Sequence, residues 1–337
     1  MLTKMKEFFS NLWTKFKRFI SKESNLKFTV PAVAIILGFS LGILIMFITG
    51  INPLDFFAAL FEQVSGISLS KIGTGKTVFN PRHIGEFFVS SMPIILTGLS
   101  VAFAFRTGLF NIGASGQMMV GAYIAIHIGV TWSLPGGLHW IIALLLGMIG
   151  GAIWGLIPGL LKALSNVNEV VSSIMMNYIA GYLMIFMITN FVFLESQSRS
   201  NYVQNTAELP SLEFLFPNTS ANIGIFIAIA AVIIAHIIIH KTTLGFQLRA
   251  SGFSFTGSKY AGMNTKSNII IAMTISGAFA GLAGAVAYLV SGKSIGTVFN
   301  IFPQGFDGIS VALLGLGEPL GALFAGLFLS NLRQGSF

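Results

Sequence analysis

The chain has 337 residues, of which 54% are hydrophobic and only 9% charged. A soluble domain carries about 25% charged residues, so this composition excludes one and points to a polytopic membrane protein. Cysteine is absent, which rules out disulfides and any Cys-based metal or redox site. The net charge of +8 does not mark a nucleic-acid binder. The basic residues sit in loops and in the N-terminal tail, with no Lys/Arg-studded aromatic surface segment.

In residues 1–27, Phe8, Leu12, Phe16, Phe19 and Ile20 fall at helical spacing, with the lysines largely off that stripe. This predicts an amphipathic helix lying on anionic membrane lipid, on the cytoplasmic side. The first apolar run begins near Phe28 and is too long for a signal-peptide core.

Apolar spans are predicted at 28–50, 87–106, 108–130, 138–163, 168–193, 221–240 and 267–291, followed by short ones at 305–317 and 319–332. The expected fold is therefore all-α: a transmembrane bundle of about 8–10 spans, some short or interrupted, filling residues 28–337. With the N-terminus inside, thirteen basic residues fall on the inner side and six on the outer. The positive-inside rule favours that orientation.

The outer side then holds two long segments. Residues 51–86 open with a short amphipathic piece (Leu54, Phe57, Ala58, Phe61), and 194–220 are polar. Between the spans, 147–159 and 277–285 are rich in small residues, a pattern that seats close helix crossings.

The inner side holds Lys241–Lys266, a basic, polar island between two apolar runs. Leu244, Leu248, Phe255 and Tyr260 are predicted to cover one side of it, leaving Arg249, Ser251, Ser254, Ser258 and Lys259 wet. Long loops usually carry function, so a docking elbow for a soluble cytoplasmic partner is expected here. A surface-lying segment without a partner remains the alternative.

No catalytic arrangement emerges. There is no phosphate-binding GxxxxGK[ST] loop, and the histidines are scattered; His236 and His240 are one turn apart but lack the intervening glutamate of the zincin pattern. No cofactor or metal is expected. Carboxylates within spans are nearly absent, although Asp307 and Glu318 bracket a short one. Proton-driven carriers use buried carboxylates as relays, so their scarcity argues against ion coupling.

Two places combine apolar sequence, helix-breaking residues and uncharged polar side chains: Gly108–Gly121 and Asn300–Gly317. Irregular backbone at membrane depth is tolerated only where it is buried or lines a cavity. Gly/Pro-interrupted segments of this kind are sequence pointers to a transporter's translocation path. Glycines that merely seat tight crossings are the competing reading.

Four segments also carry a family resemblance. They are Gly108-Leu109-Phe110-Asn111-Ile112-Gly113 with Gly116-Gln117-Met118; Asn168-Glu169-Val170-Val171 running to Met176-Asn177-Tyr178; Leu248-Arg249-Ala250 with Gly252 and Tyr260-Ala261-Gly262; and Gly305-Phe306-Asp307-Gly308 through Gly315 with Pro319-Leu320-Gly321. In this order they resemble the permease subunits of ATP-binding-cassette importers of the branched-chain amino acid and simple-sugar class, most of all the nucleoside-type permeases.

The resemblance implies a non-enzymatic transport subunit in a bacterial plasma membrane. Its implied partners are cytoplasmic ATPase subunits, a second permease that is the same or a sister chain, and an extracellular substrate-binding lipoprotein. It makes 241–266 the coupling segment, with Gly245, Arg249, Ala250, Gly252, Tyr260 and Gly262 as its contact residues. The stretch Ser254–Ser258 is more polar than the family's pattern there. Related permeases continue beyond Asn331–Gly335 into one more span, so a truncated C-terminus is expected.

For a nucleoside path, Asn111, Gln117, Asn177 and Gln304 offer uncharged hydrogen-bonding groups, Phe110 and Phe306 aromatic faces, and Asp307 the remaining polar position. Simple sugars such as ribose or galactosides stay open as alternative cargo. An ion-coupled carrier and a non-transporting scaffold are the readings from other classes.

Overall fold

The computed structural model describes residues 23–69, 72 and 78–334. The amphipathic tail helix expected over 1–27 lies outside the described residues as far as position 22. From Glu23 the backbone belongs to α1 (Glu23–Thr49), which leads to α2 (Pro53–Ser65). The chain divides into one unit ending at Phe57 and a second from Ala58 onward. In the first, α1 is lined all round with exposed apolar side chains, among them Ile36, Leu41 and Ile48. Exposed leucine and isoleucine on every face suit a helix solvated by lipid.

The second unit is built from α3 (Pro81–Arg106), α4 (Ala114–Thr131), α5 (Leu138–Ser165), α6 (Glu169–Phe191) and α7 (Gly224–Lys241). Two short helices, α8 (Thr243–Phe253) and α9 (Phe255–Tyr260), precede α10 (Thr265–Tyr288). The half-length α11 (Pro303–Leu314) and α12 (Pro319–Gln334) close the sequence of elements. A two-residue pair, β1 (Phe193–Leu194) with β2 (Arg199–Ser200), is folded into the 194–220 segment. Among the described residues, six helices are long and apolar enough to cross a membrane: α1, α3, α5, α6, α7 and α10. The expected all-α bundle with short and interrupted members is what the structure contains.

Helix α3 is the axis, with 83% of its most apolar window buried. Asn80 starts it by accepting a hydrogen bond from the Arg82 amide at 3.1 Å, and Pro81 occupies its first turn, where no amide partner is needed. Helix α10 packs along α5, α4 and α3. The small-residue stretches explain how closely: a methyl on Gly277 would lie 3.0 Å from Gly155 Cα, and one on Gly281 2.7 Å from Gly151 Cα. Where lipid replaces water there is little hydrophobic force between helices, so such backbone proximity supplies dispersion contact instead.

Two expectations about the chain's course are refined. The span expected from residue 108 begins as helix only at Ala114; Thr107–Gly113 is a non-helical return, with Leu109 and Asn111 buried. In the 241–266 island, Leu244 and Leu248 turn inward, whereas Phe255 is exposed and Tyr260 is 89% exposed. Ser254 is the reason: it caps a new helix by accepting from the Gly257 amide at 3.1 Å, which resets the helical phase and buries Ser258 instead.

Candidate functional site

The two interrupted segments come together deep in the bundle. Helix α11 starts beside the middle of α3, where Thr97 Oγ1 donates to the Gln304 carbonyl at 2.8 Å. Ser115 Oγ, in the first turn of α4, donates to the Phe302 carbonyl at 3.0 Å. A methyl on Gly308 would lie 2.7 Å from the Thr97 carbonyl carbon, and one on Gly305 would overlap the Ser115 backbone. These hydroxyls tie the first turn of a short helix to α3 and α4 inside a low-dielectric core.

The return Thr107–Gly113 is pinned by side chains rather than by backbone ladders. Asn111 Nδ2 donates to Gln117 Oε1 and to Ser276 Oγ, both at 2.8 Å. Its Oδ1 accepts from the Gly113 amide at 2.9 Å and from Gln117 Nε2 at 3.2 Å. Ser276 in turn donates to the Ser100 carbonyl at 2.7 Å, and Asn177 bridges α6 to the same return, accepting from Gly116 N at 2.8 Å and donating to Ile112 O at 3.0 Å.

Asn111, Gln117 and Asn177 are 0, 1 and 2% exposed. Their amides tie α4, α6 and α10 to the return, and Ser276 carries the link on to Ser100 of α3. Phe110 stacks on Phe105 with ring centres 4.9 Å apart.

Of the seven residues expected on the path, Gln304 borders a cavity of about 990 Å³ that opens at the end carrying the 194–220 segment. That volume lies at the upper end of the roughly 300–1,000 Å³ of small-molecule sites. The cavity mouth carries Arg82, Glu86, Glu208 and Lys293, and its wall runs along Ser90, Pro93 and Ile94 of α3. Gln304 sits at its deep end, beside Thr97, about 24 Å along α3 from Pro81 at the helical rise of 1.5 Å per residue. Asp307 is paired with Arg333 of α12, and Phe306 stands exposed away from the cavity.

At the opposite end, α8 and α9 form a capped elbow. Thr242, Ser254 and Asn264 accept from the amides of Gly245, Gly257 and Ser267 at 3.0–3.1 Å and so fix three successive helix starts. Asn268 of α10 donates to Ser251 Oγ at 2.7 Å and holds the elbow to the bundle. Gly245 lies on the last carbonyls of α7, and Gly252 lies directly on Thr107 and Gly108. Gly108, with φ of 74°, would set a side chain into Gly252, so glycine serves both sides of that contact.

Arg249 and Ala250 border a second cavity of about 550 Å³ with Phe105 and Arg106. Tyr260 and Gly262 stand clear, the latter with nothing within 4 Å of where a Cβ would lie. Beside the elbow, Glu318 takes Arg106 and, at 2.9 Å, His240 Nε2.

The chain from residue 83 to 337 matches the family model described as branched-chain amino acid transport system / permease component. It belongs to that permease family. A guanosine ABC transporter permease of Bacillus subtilis is 40% identical over 91% of this chain and 85% of its own length. A nucleoside ABC transporter permease of Lactococcus lactis is 37% identical over 92% and 84%. A glucose ABC transporter permease of Haloferax volcanii is 27% identical over 92% and 80%. No solved structure matches. The chain is thus a multi-pass permease component of an ATP-binding-cassette transporter.

Two features of the permease escaped the sequence reading. The Ser100–Ser276 pair, 3.0 Å apart, is hidden in runs that read as plain apolar helix. The Glu318 clasp joins α3, α7 and α12, and only the acid at a helix start was visible in advance. Glu318→Ala is expected to lower the thermal midpoint of the detergent-solubilised permease by a few degrees. The pair is about one third exposed, so screening holds the loss near about 1 kcal/mol. An unchanged midpoint would show the clasp to be without structural weight.

Proposed function

We propose that this permease forms the membrane path of a bacterial nucleoside importer, with its N-terminus and the 241–266 elbow in the cytoplasm. Two ATPase subunits dock on α8 and α9 from the cytoplasm. A second permease, the same or a sister chain, completes the path, and an extracellular lipoprotein delivers the cargo to the outer side, at the 194–220 segment. Two of the relatives compared above bear guanosine or nucleoside in their names and one glucose, so simple sugars are the second reading of the cargo.

The observation that carries the mechanism is the backbone contact of Gly252 with Gly108. A push on the elbow is delivered, without an intervening side chain, to the return that holds Asn111. In this reading Asn111, Gln117 and Asn177 act as the rigid joint between elbow and bundle. Gln304 and the polar wall of the outer cavity meet the cargo. ATP-driven closure of the ATPase pair favours one of two bundle arrangements, and the elbow supplies the differential contact that such a shift requires.

Uptake of labelled guanosine, uridine and ribose by cells with and without the chain tests the reading. Nucleoside uptake that is lost on deletion, depends on ATP and survives a proton uncoupler is the expected result. Uptake that collapses with the uncoupler at constant ATP would put an ion-coupled carrier in its place. Arg249→Glu reverses a charge at the elbow cavity and is expected to remove the stimulation of ATP hydrolysis without lowering the amount of chain in the membrane; normal uptake in that variant would sink the docking role.

A further inference from the structure

We propose that Tyr178, Tyr182 and Phe299 form a stacking surface at mid-membrane depth for the planar base of the transported nucleoside. The proposal rests on the nucleoside reading above and adds a site to it.

The geometry is specific. Tyr178 and Tyr182 are one turn apart on α6, and the Phe299 ring lies against both. Its centre is 4.6 Å from Tyr182 at an interplanar angle of 25°, and 6.1 Å from Tyr178 at 8°. Gly181 makes the seat, since a methyl there would come within 2.6 Å of Phe299 Cε2. The same helix turn is held from behind by Asn177, bonded to Gly116 and Ile112. The platform is therefore preorganised on a braced helix. Even so, Tyr178 is 49% and Tyr182 64% exposed.

Those exposures are informative because of where the residues lie. Helix α6 runs from Glu169 to Phe191, so the two tyrosines straddle its centre. Tyrosine is favoured at the two membrane interfaces, where its ring is in hydrocarbon and its hydroxyl in water. At the centre of a lipid-facing helix the hydroxyl would have no partner, at a cost of several kcal/mol. Among the described residues, neither hydroxyl has a hydrogen-bond partner. A face that presents two such groups at mid-depth is accounted for by water and a polar solute passing along it.

The solute that fits is a flat heteroaromatic ring. Parallel aromatic faces bind any base through its π surface, and two phenol hydroxyls can address its edge without selecting one base. A sugar without a base gains little from such a platform. Phe299 also ties the site to the outer cavity. Three residues further on, Phe302 stacks on Tyr288, a lining residue of that cavity, with centres 5.2 Å apart. The short segment before α11 thus links the cavity wall to the α6 platform.

The natural absence of cysteine provides the test. Tyr182→Cys and Tyr178→Cys are placed singly in the full chain, assembled with its partner subunits in membranes, and treated with a charged methanethiosulfonate reagent. A thiol facing lipid stays protonated and unreactive, whereas one on a hydrated path is modified. Modification that guanosine slows and ribose does not is the expected result.

Absence of modification would overturn the proposal, as would modification that guanosine leaves unchanged while the wild-type chain carries guanosine. A Tyr178→Leu/Tyr182→Leu chain is expected to need about tenfold more guanosine for half-maximal uptake, with Phe at both positions restoring most of it. Loss of pairing with the second permease in the leucine variant, rather than a raised half-saturation, would reassign the face to a subunit contact and overturn the proposal. If the wild-type chain carries no nucleoside at all, it is the cargo assignment that fails, read from uptake alone.

Discussion

Gly252→Val is expected to lower uptake at least tenfold while the chain still reaches the membrane in normal amount. A first methyl at position 252 would lie 2.5 Å from the Thr107 carbonyl carbon and 2.6 Å from the Gly108 amide nitrogen. Both are backbone atoms, so no rotamer change relieves the overlap. Overpacking of this kind costs about 1–3 kcal/mol. The helices around it are held by contacts elsewhere, so that cost is met by lifting α8 off the return. Basal ATP hydrolysis by the partner subunits should persist, and its stimulation by loaded binding protein should be lost.

Gly108→Ala meets the same contact from the other side and adds the strain of a positive φ. Because the two positions share one interface, the double variant should be little worse than either single one. Wild-type uptake in Gly252→Val, measured in cells with matched membrane levels, would show that force does not pass through this contact.

Much of the fold was legible because lipid imposes simple rules on sequence. Long apolar runs gave the spans, and small-residue stretches gave the α5–α10 crossing, since nothing but glycine fits where Gly151 meets Gly281. The helix break at 107–113 and the start of α11 at Pro303 were marked by glycine and proline. The direction of side chains at those breaks was not legible. Asn111 reads as a polar group in a broken helix, but its partner Ser276 lies 165 positions away, and only the folded chain brings them within 2.8 Å.

Register in short helices was lost for a local reason. A single cap at Ser254 turned Phe255 and Tyr260 outward against the apolar pattern. Tyr178 was read only as part of the Met176–Tyr178 run, and its pairing with Tyr182 was not, although the pattern was visible: two tyrosines one turn apart, flanking a glycine, at the centre of a span.

Asn111→Ala should cost the permease stability, and Gln304→Ala should cost it affinity. Asn111 makes four hydrogen bonds in a fully buried position, to Gln117 twice, to Ser276 and to the Gly113 amide. Removing its amide leaves the Gly113 N–H and both ends of the Gln117 amide without partners, each worth about 1–3 kcal/mol when buried and unpaired. Ser276 keeps its bond to the Ser100 carbonyl and is less affected. Three such groups total about 3–9 kcal/mol, a large share of the roughly 5–15 kcal/mol that holds a typical domain together.

The thermal midpoint in detergent should therefore fall by about 10 °C, with a severalfold drop in membrane level. Gln304 differs in kind. It holds Thr97 through its carbonyl, which alanine retains, while its position borders the outer cavity. Its alanine variant should keep the wild-type midpoint and raise the guanosine concentration needed for half-maximal uptake about threefold to tenfold, the range of one polar contact. The opposite pattern, a stable Asn111→Ala with raised half-saturation, would return Asn111 to the surface of the path. The amide network would then be an arrangement that opens when cargo arrives, and the rigid joint between elbow and bundle would have to lie elsewhere.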